Sequence, residues 1–226
     1  MKNIIFSFLL VLISFNGYSQ TTKVLNGDKE EEFIRFDDTT GLIYYKNKLY
    51  TGFYEIYHEN GQLKIRGSYL NGERNGVWEV YYENGHLSDK GSYVNGKMNG
   101  VWEYFNVNGQ LFLKVSHLNG KMNGVWECYH KNGQLRNKGS YLNGKMNGVW
   151  EGYYDNGQLH SKGSYLYDKR IGLWNSFYSD GTIEEVGSYL NDKKNGVWKI
   201  FDYDTKNITK ITYKNGFVLD MTNWKK

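Results

Sequence analysis

The strongest constraint on this chain is a repeat of 24 residues that runs through most of its length. Trp78, Trp102, Trp126, Trp150, Trp174 and Trp198 fall at that spacing, and Tyr54 takes the same place one repeat earlier. Each follows a glycine two residues back, from Gly52 to Gly196. A unit this short cannot bury an apolar face alone, so it has to stack on its neighbours. The fold is therefore an array held by contacts between adjacent repeats.

Turn chemistry gives the content of each repeat. Asn-Gly recurs at Asn60-Gly61, Asn84-Gly85, Asn108-Gly109, Asn132-Gly133 and Asn156-Gly157, with Asp180-Gly181 following. A second set stands at Asn71-Gly72, Asn95-Gly96, Asn119-Gly120, Asn143-Gly144 and Asn215-Gly216. Both residue types accept the positive φ of a two-residue type I′ hairpin turn, so two turns per repeat predict two strands per repeat. With Asn84-Gly85 as such a turn, Glu79 faces Lys90 and Trp78 faces Gly91. The same rule pairs Glu55 with Arg66, Glu103 with Lys114, Glu127 with Lys138 and Glu151 with Lys162. Opposite charges facing across strands contribute ~0.2–1 kcal/mol each. Trp126 facing Gly139 and Trp150 facing Gly163 predict an indole lying over its cross-strand glycine. Alternation puts Trp78, Tyr82, Leu87, Gly91 and Tyr93 on one aromatic face, and Val77, Glu79, Tyr81, Lys90 and Ser92 on a wetter one. Asn75-Gly76 and its equivalents break the alternation and read as curvature-producing bulges. The predicted fold is all-β: one elongated antiparallel meander of seven 24-residue hairpin repeats, about 14 strands and roughly 65–70 Å long.

The flanks differ. Lys2, the apolar run Ile4 to Phe15 and Gly17-Tyr18-Ser19 have the form of a cleaved secretory leader over residues 1–19. That places the mature chain in the periplasm or outside the cell. Residues 20–41 read as a polar cap, 42–218 as the repeat array and 219–226 as a tail. In the last repeat Trp198 faces Ile211 instead of glycine and Lys199 faces Lys210, as in a degenerate closing unit. No later stretch is apolar and long enough for a transmembrane helix. The 28 Lys and Arg are interleaved with 24 Asp and Glu, which does not point to nucleic acid. Cys128, the one cysteine, stands where other repeats carry Val80, Tyr104, Gly152 or Ser176; no disulfide framework is implied.

The stretch Gly139-Ser-Tyr-Leu-Asn-Gly-Lys-Met-Asn-Gly-Val-Trp150 resembles the MORN repeat, and the added strand ending Tyr-Tyr-x-Asn-Gly-Gln-Leu resembles its bacterial variant, found in proteins named YwqK-like antitoxins. Leu42 to Gly52 is similar to the lead-in of that group. The pattern is departed from at Val115, His117, Tyr167-Asp168 and Ile211. The resemblance implies a binding or scaffolding array with a protein partner, and for the antitoxin group neutralisation of a toxin by binding.

No catalytic constellation is legible. His58, His86, His117, His130 and His160 have no metal-ligand spacing, and no nucleophile elbow or phosphate loop occurs. The ladder Glu55, Glu79, Glu103, Glu127 and Glu151 would place carboxylates roughly 9–10 Å apart, at the wide limit for an inverting glycosidase. Each already faces a Lys or Arg, and an active site is not repeated five times. The expectation is a non-enzyme with no metal and no cofactor. Candidate contact residues are Trp78, Tyr82, Trp102, Tyr104, Trp126, Trp150, Tyr154, Trp174 and Tyr178, with ordinary sheet packing as the competing role for the indoles. The variable positions Val80, Tyr104, Cys128, Gly152 and Ser176 are where a specific site could be written on a constant scaffold. A protein partner is the first expectation. A cell-wall glycan stacked on Trp and Tyr is the alternative, and a lipid surface fits the balanced charge least. Open sheet edges leave edge-to-edge self-association available.

Overall fold

The computed structural model describes residues 21–24 and 32–224; the expected leader, residues 1–19, lies outside them. The chain is all-β and divides into two compact units, Met1–Gln110 and Leu111–Lys226. In the first, a small sheet takes the strands Thr21–Val24, Glu32–Phe36, Ile43–Tyr45 and Lys48–Leu49 in chain order. The segment expected as a polar cap thus contributes strands. Ile43 is 2% exposed, and its N–H donates to Gly72 O at 3.1 Å, so the lead-in closes over the first hairpin turn. The hairpin array of this unit runs Gly52–Tyr57, Leu63–Leu70, Gly76–Tyr81, Leu87–Val94 and Lys97–Phe105, each antiparallel to the one before.

The second unit continues the same pattern from Leu111–Leu118 and Lys121–Tyr129 to Ile208–Lys214 and Phe217–Trp224. The expected boundary at 218/219 falls inside its last strand, which pairs with Ile208–Lys214. The tail therefore belongs to the sheet.

The register is the expected one. Glu79 pairs with Lys90, Glu55 with Arg66, Glu127 with Lys138 and Glu151 with Lys162. Glu103 and Lys114 fall in different units. The turns that set this register are not all of the expected kind. At Asn95-Gly96 both residues have positive φ, 48° and 72°, and Val94 pairs with Lys97: a two-residue turn, as predicted. Asn84-Gly85 is different. Tyr82 N–H donates to His86 O and Gly85 N–H to Tyr82 O, so the loop is the three residues Glu83, Asn84 and Gly85, with only Gly85 at positive φ. The Asn84 side chain holds it by accepting from His86 N–H at 3.0 Å. One extra residue in the loop would shift the register, but Ser88 is extruded as a bulge between Leu87, which pairs with Tyr81, and Asp89, which pairs with Val80. The two one-residue departures cancel, and Glu79 still meets Lys90.

The second kind of bulge falls at the Asn-Gly pairs before each indole. Arg74 pairs with Tyr69, yet Glu79 pairs with Arg66, so two residues are extruded around Gly76, whose φ is 83°. Asn75 N–H donates to Ser68 O, and Ser68 Oγ donates to Asn75 O. The same shift recurs between Asn99 and Glu103. An even number of extruded residues keeps the face unchanged. Arg74 and Trp78 therefore lie on one side, as do Met98 and Trp102.

Candidate functional site

The indoles sit where this bulge delivers them, but not over the glycine expected. Trp78 pairs with Gly91 in register, whereas its ring lies over Gly67 of the preceding strand. A Cβ at Gly67 would stand 2.3 Å from that ring. Trp102 lies over Gly91 in the same way, Trp150 over Gly139, Trp174 over Gly163 and Trp198 over Gly187. The Trp78 indole N–H donates to Ser68 O at 3.1 Å, repeated from Trp102 to Ser92 O and from Trp198 to Ser188 O. Tyrosines stand edge-on between rings: Tyr93 is 5.9 Å from Trp78 and 5.0 Å from Trp102. Where Val115 replaces the glycine, Trp126 packs on Trp150 at 5.3 Å instead.

The outer faces are covered too. The Arg74 guanidinium lies 4.8 Å from the Trp78 ring centre, and Lys194 Nζ lies 3.9 Å from that of Trp198. Trp78, Trp102 and Trp150 are buried, and Trp126 and Trp174 are half-buried. The indoles make up much of the buried core. Tyr82, Tyr154 and Tyr178 each donate a hydroxyl hydrogen bond of 2.7 Å to a main-chain oxygen one repeat on: Phe105, Phe177 and Phe201. His58 and His130 hold the same place, with Nε2 2.8 Å from Tyr81 O and 2.9 Å from Tyr153 O. Asn84 and Asn156 add side-chain donation to Val107 O and Ser179 O. Of the candidate contact residues, eight thus serve the scaffold; Tyr104, whose ring lies 6.2 Å from that of Trp102, also belongs to a second row.

Tyr104 lies in a row that crosses each unit beside the indoles. In the first unit the pairings Ile56 with Ile65, Ile65 with Val80, Val80 with Asp89 and Asp89 with Tyr104 make it continuous. In the second it runs Leu113, Cys128, Asn137, Gly152, Ser161, Ser176 and Glu185. Repeats differ at each of these positions. The variable residues expected from sequence are half of the row. The other half, including Ile65, Asp89, Asn137, Ser161 and Glu185, comes from the intervening strands. The register that pairs Glu79 with Lys90 also places Asp89 opposite Val80, so this half of the row follows from the same pairing rule once both strands are read.

Two local features stand on the row. In the second unit Gly152 is covered by its neighbours in the row, and a Cβ there would lie 2.9 Å from Ser161 Oγ and 3.0 Å from Asn137 Nδ2. In the first unit a cavity of about 250 Å³ opens over the row, lined by Ile65, Val80, Asp89 and Tyr104 together with Arg74, Trp78, Tyr93, Met98 and Trp102. The Tyr104 hydroxyl is pushed above its ordinary pKa by burial and by the nearby Asp89 carboxylate.

The opposite face carries the carboxylate ladder. Glu79 is bridged by Arg66 on one neighbouring strand and by Lys90, at 3.2 Å, on the other; Glu151 is bridged by Lys138 at 2.7 Å and Lys162 at 2.9 Å. The strand before each Glu supplies a cation that cross-strand counting did not include. Tyr81 and Tyr153 donate their hydroxyls to the same carboxylates. Hydrogen bonds from Lys138, Tyr153 and Lys162 hold Glu151 at a pKa of about 2. A carboxylate so held neither takes up a proton near neutral pH nor releases one. Among the described residues no cluster of His, Cys, Asp and Glu could hold a metal ion, and no helix is long and apolar enough to cross a membrane.

The MORN repeat variant family matches residues 50–71, 74–95, 122–143, 146–167 and 170–191. The repeat holding Val115 and His117 and the one holding Ile211 fall outside these matches, although their strands Leu111–Leu118 and Ile208–Lys214 pair in the same antiparallel pattern. Among curated proteins none matches the chain.

Proposed function

We propose that this chain, an array of MORN repeat variants, is a non-catalytic binding protein of the periplasm or cell exterior that holds a protein partner on the indole side of its sheet. The observation that carries the reading is the variable row. On a scaffold whose turns, indoles, glycines and ion pairs repeat, the row holds Ile56, Ile65 and Val80 in the first unit and Asn137, Ser161, Ser176 and Glu185 in the second. A surface that is constant for support and varied along one line suits recognition of an irregular polypeptide surface. The non-catalytic part is supported by the Glu ladder, whose carboxylates are engaged by partners on both sides. The leader-like residues 1–19 support a location outside the cytoplasm. An immunity or antitoxin-like role is the form of partner binding that fits both. Burial of Trp78, Trp102 and Trp150 weighs against sugar stacking.

The test is capture of a partner from envelope extract on the immobilised protein, repeated with Asn137, Ser161 and Ser176 changed together to alanine. Loss of one stoichiometric partner in the triple variant, with unchanged urea unfolding, is expected. Retention of that partner, or saturable binding of peptidoglycan fragments in place of any protein, overturns the reading.

A further inference from the structure

The cavity of the first unit is lined by a carboxylate that makes no ion pair among the described residues. Asp89 lines it, and at the same place in other repeats stand Ile65, Leu113, Asn137 and Ser161. The bulged Ser88 donates its hydroxyl to Asp89 Oδ2 at 2.6 Å, which fixes the carboxylate; among the described residues no cation stands within ion-pair reach of it. The walls around it are Val80, Tyr104 and Trp102.

We propose that this cavity receives the cationic side chain of a lysine or arginine from the protein partner, the ammonium or guanidinium pairing with Asp89 and the methylene stem lying against Tyr104 and Trp102. The inference rests on the protein-partner reading for the source of the cation. Aromatic faces around a single carboxylate favour a cation over a neutral chain of the same length, because quadrupole and Coulomb attraction add where water is partly excluded. About 250 Å³ is room enough for one long side chain. The cavity already shows the same chemistry at its other end, where Arg74 lies over Trp78 and donates to the Tyr93 hydroxyl at 3.1 Å. Arg74 does not fill the Asp89 end. Its guanidinium is held over the Trp78 and Tyr93 rings and forms no ion pair with Asp89.

The experiment titrates the full protein with the N-acetyl methylamides of lysine, arginine and norleucine, and with tetramethylammonium, following tryptophan fluorescence. Lysine or arginine amide is expected to bind at least about tenfold more tightly than the uncharged norleucine amide, and Asp89→Asn to remove that preference. Asp89→Ser, which installs the residue type of Ser161, repeats the test if the first variant unfolds. Equal binding of norleucine, an unchanged preference in both variants, tighter binding of tetramethylammonium than of either amide, or no response to any amide overturns the inference. A partner captured equally by native protein and Asp89→Asn also overturns it while leaving the binding role intact. Capture of no partner removes the binding role, and the titration still decides the cavity.

Discussion

The Trp174 ring lies so close to Gly163 that a Cβ on that glycine would stand 2.0 Å from it. Gly163 does not have a positive φ, so its backbone conformation is open to other residues, and the ring's approach alone explains the glycine. Gly163→Ala is therefore expected to destabilise the protein by about 1–3 kcal/mol through overpacking. The shift in urea midpoint measures it. In a Gly163→Ala background, Trp174→Leu should cost less than it does alone, because the smaller side chain frees the space the methyl needs. Additive losses would show that the contact is not what the glycine serves.

Tyr154 and His130 occupy one structural place with different chemistry. The Tyr154 hydroxyl donates to Phe177 O at 2.7 Å, and His130 Nε2 meets Tyr153 O at 2.9 Å. Tyr154→Phe should therefore cost about 0.5–1.5 kcal/mol, the usual net value of such a bond. Tyr154→His should cost less than the phenylalanine, since a ring nitrogen reaches the same carbonyl. Urea unfolding of the two variants side by side decides it; a histidine variant weaker than the phenylalanine would mean that ring packing, not the hydrogen bond, is what the site requires.

Much of this scaffold was legible in the sequence, because the period of the indoles and the opposed charges of Glu79 and Lys90 or Glu151 and Lys162 specify strand, partner and face together. What escaped was of a different kind. The loop at Asn84 is one residue longer than a type I′ turn and Ser88 is bulged out, and neither is visible when the two effects cancel in the register. The ring of Trp78 leans to Gly67 instead of Gly91 because the bulge at Gly76 sets its direction, and pairing rules carry no such information. The register itself places Asp89 opposite Val80, whereas the cavity escaped because pairing does not say which way a ring leans. The leaning indoles and the side chains over them, Arg74 and Met98, shape that cavity.

His117 interrupts the tyrosine row that Tyr93 and Tyr141 belong to, and its Nδ1 is buried without a hydrogen-bond partner. Burial lowers its pKa below the ordinary 6.5. A histidine depressed in this way favours the folded state fully above pH 6.5, and that contribution is lost as pH falls through the folded value. Stability should therefore decline below pH 6.5, and His117→Tyr should remove this part of the decline. Thermal or urea unfolding of both proteins across that range is the measurement. An unchanged slope in the variant would assign the decline to other groups.

Glu151 gives the opposite end of the pH scale. Its folded pKa is about 2 against an ordinary 4.5, because Lys138, Tyr153 and Lys162 all donate to it. A depressed carboxylate contributes stability that is complete above 4.5 and disappears as pH falls toward about 2. Glu151→Gln should therefore be less stable than the native protein at pH 7, and the two curves should converge across that window. The partners Lys138 and Lys162 are 44% and 49% exposed, so the difference should also shrink with added salt. Tyr153→Phe removes one of the three donors and should move the convergence to higher pH. If Glu151→Gln matched the native protein at neutral pH and low salt, the ladder would contribute register alone. The strands would then owe their stability to the indole face.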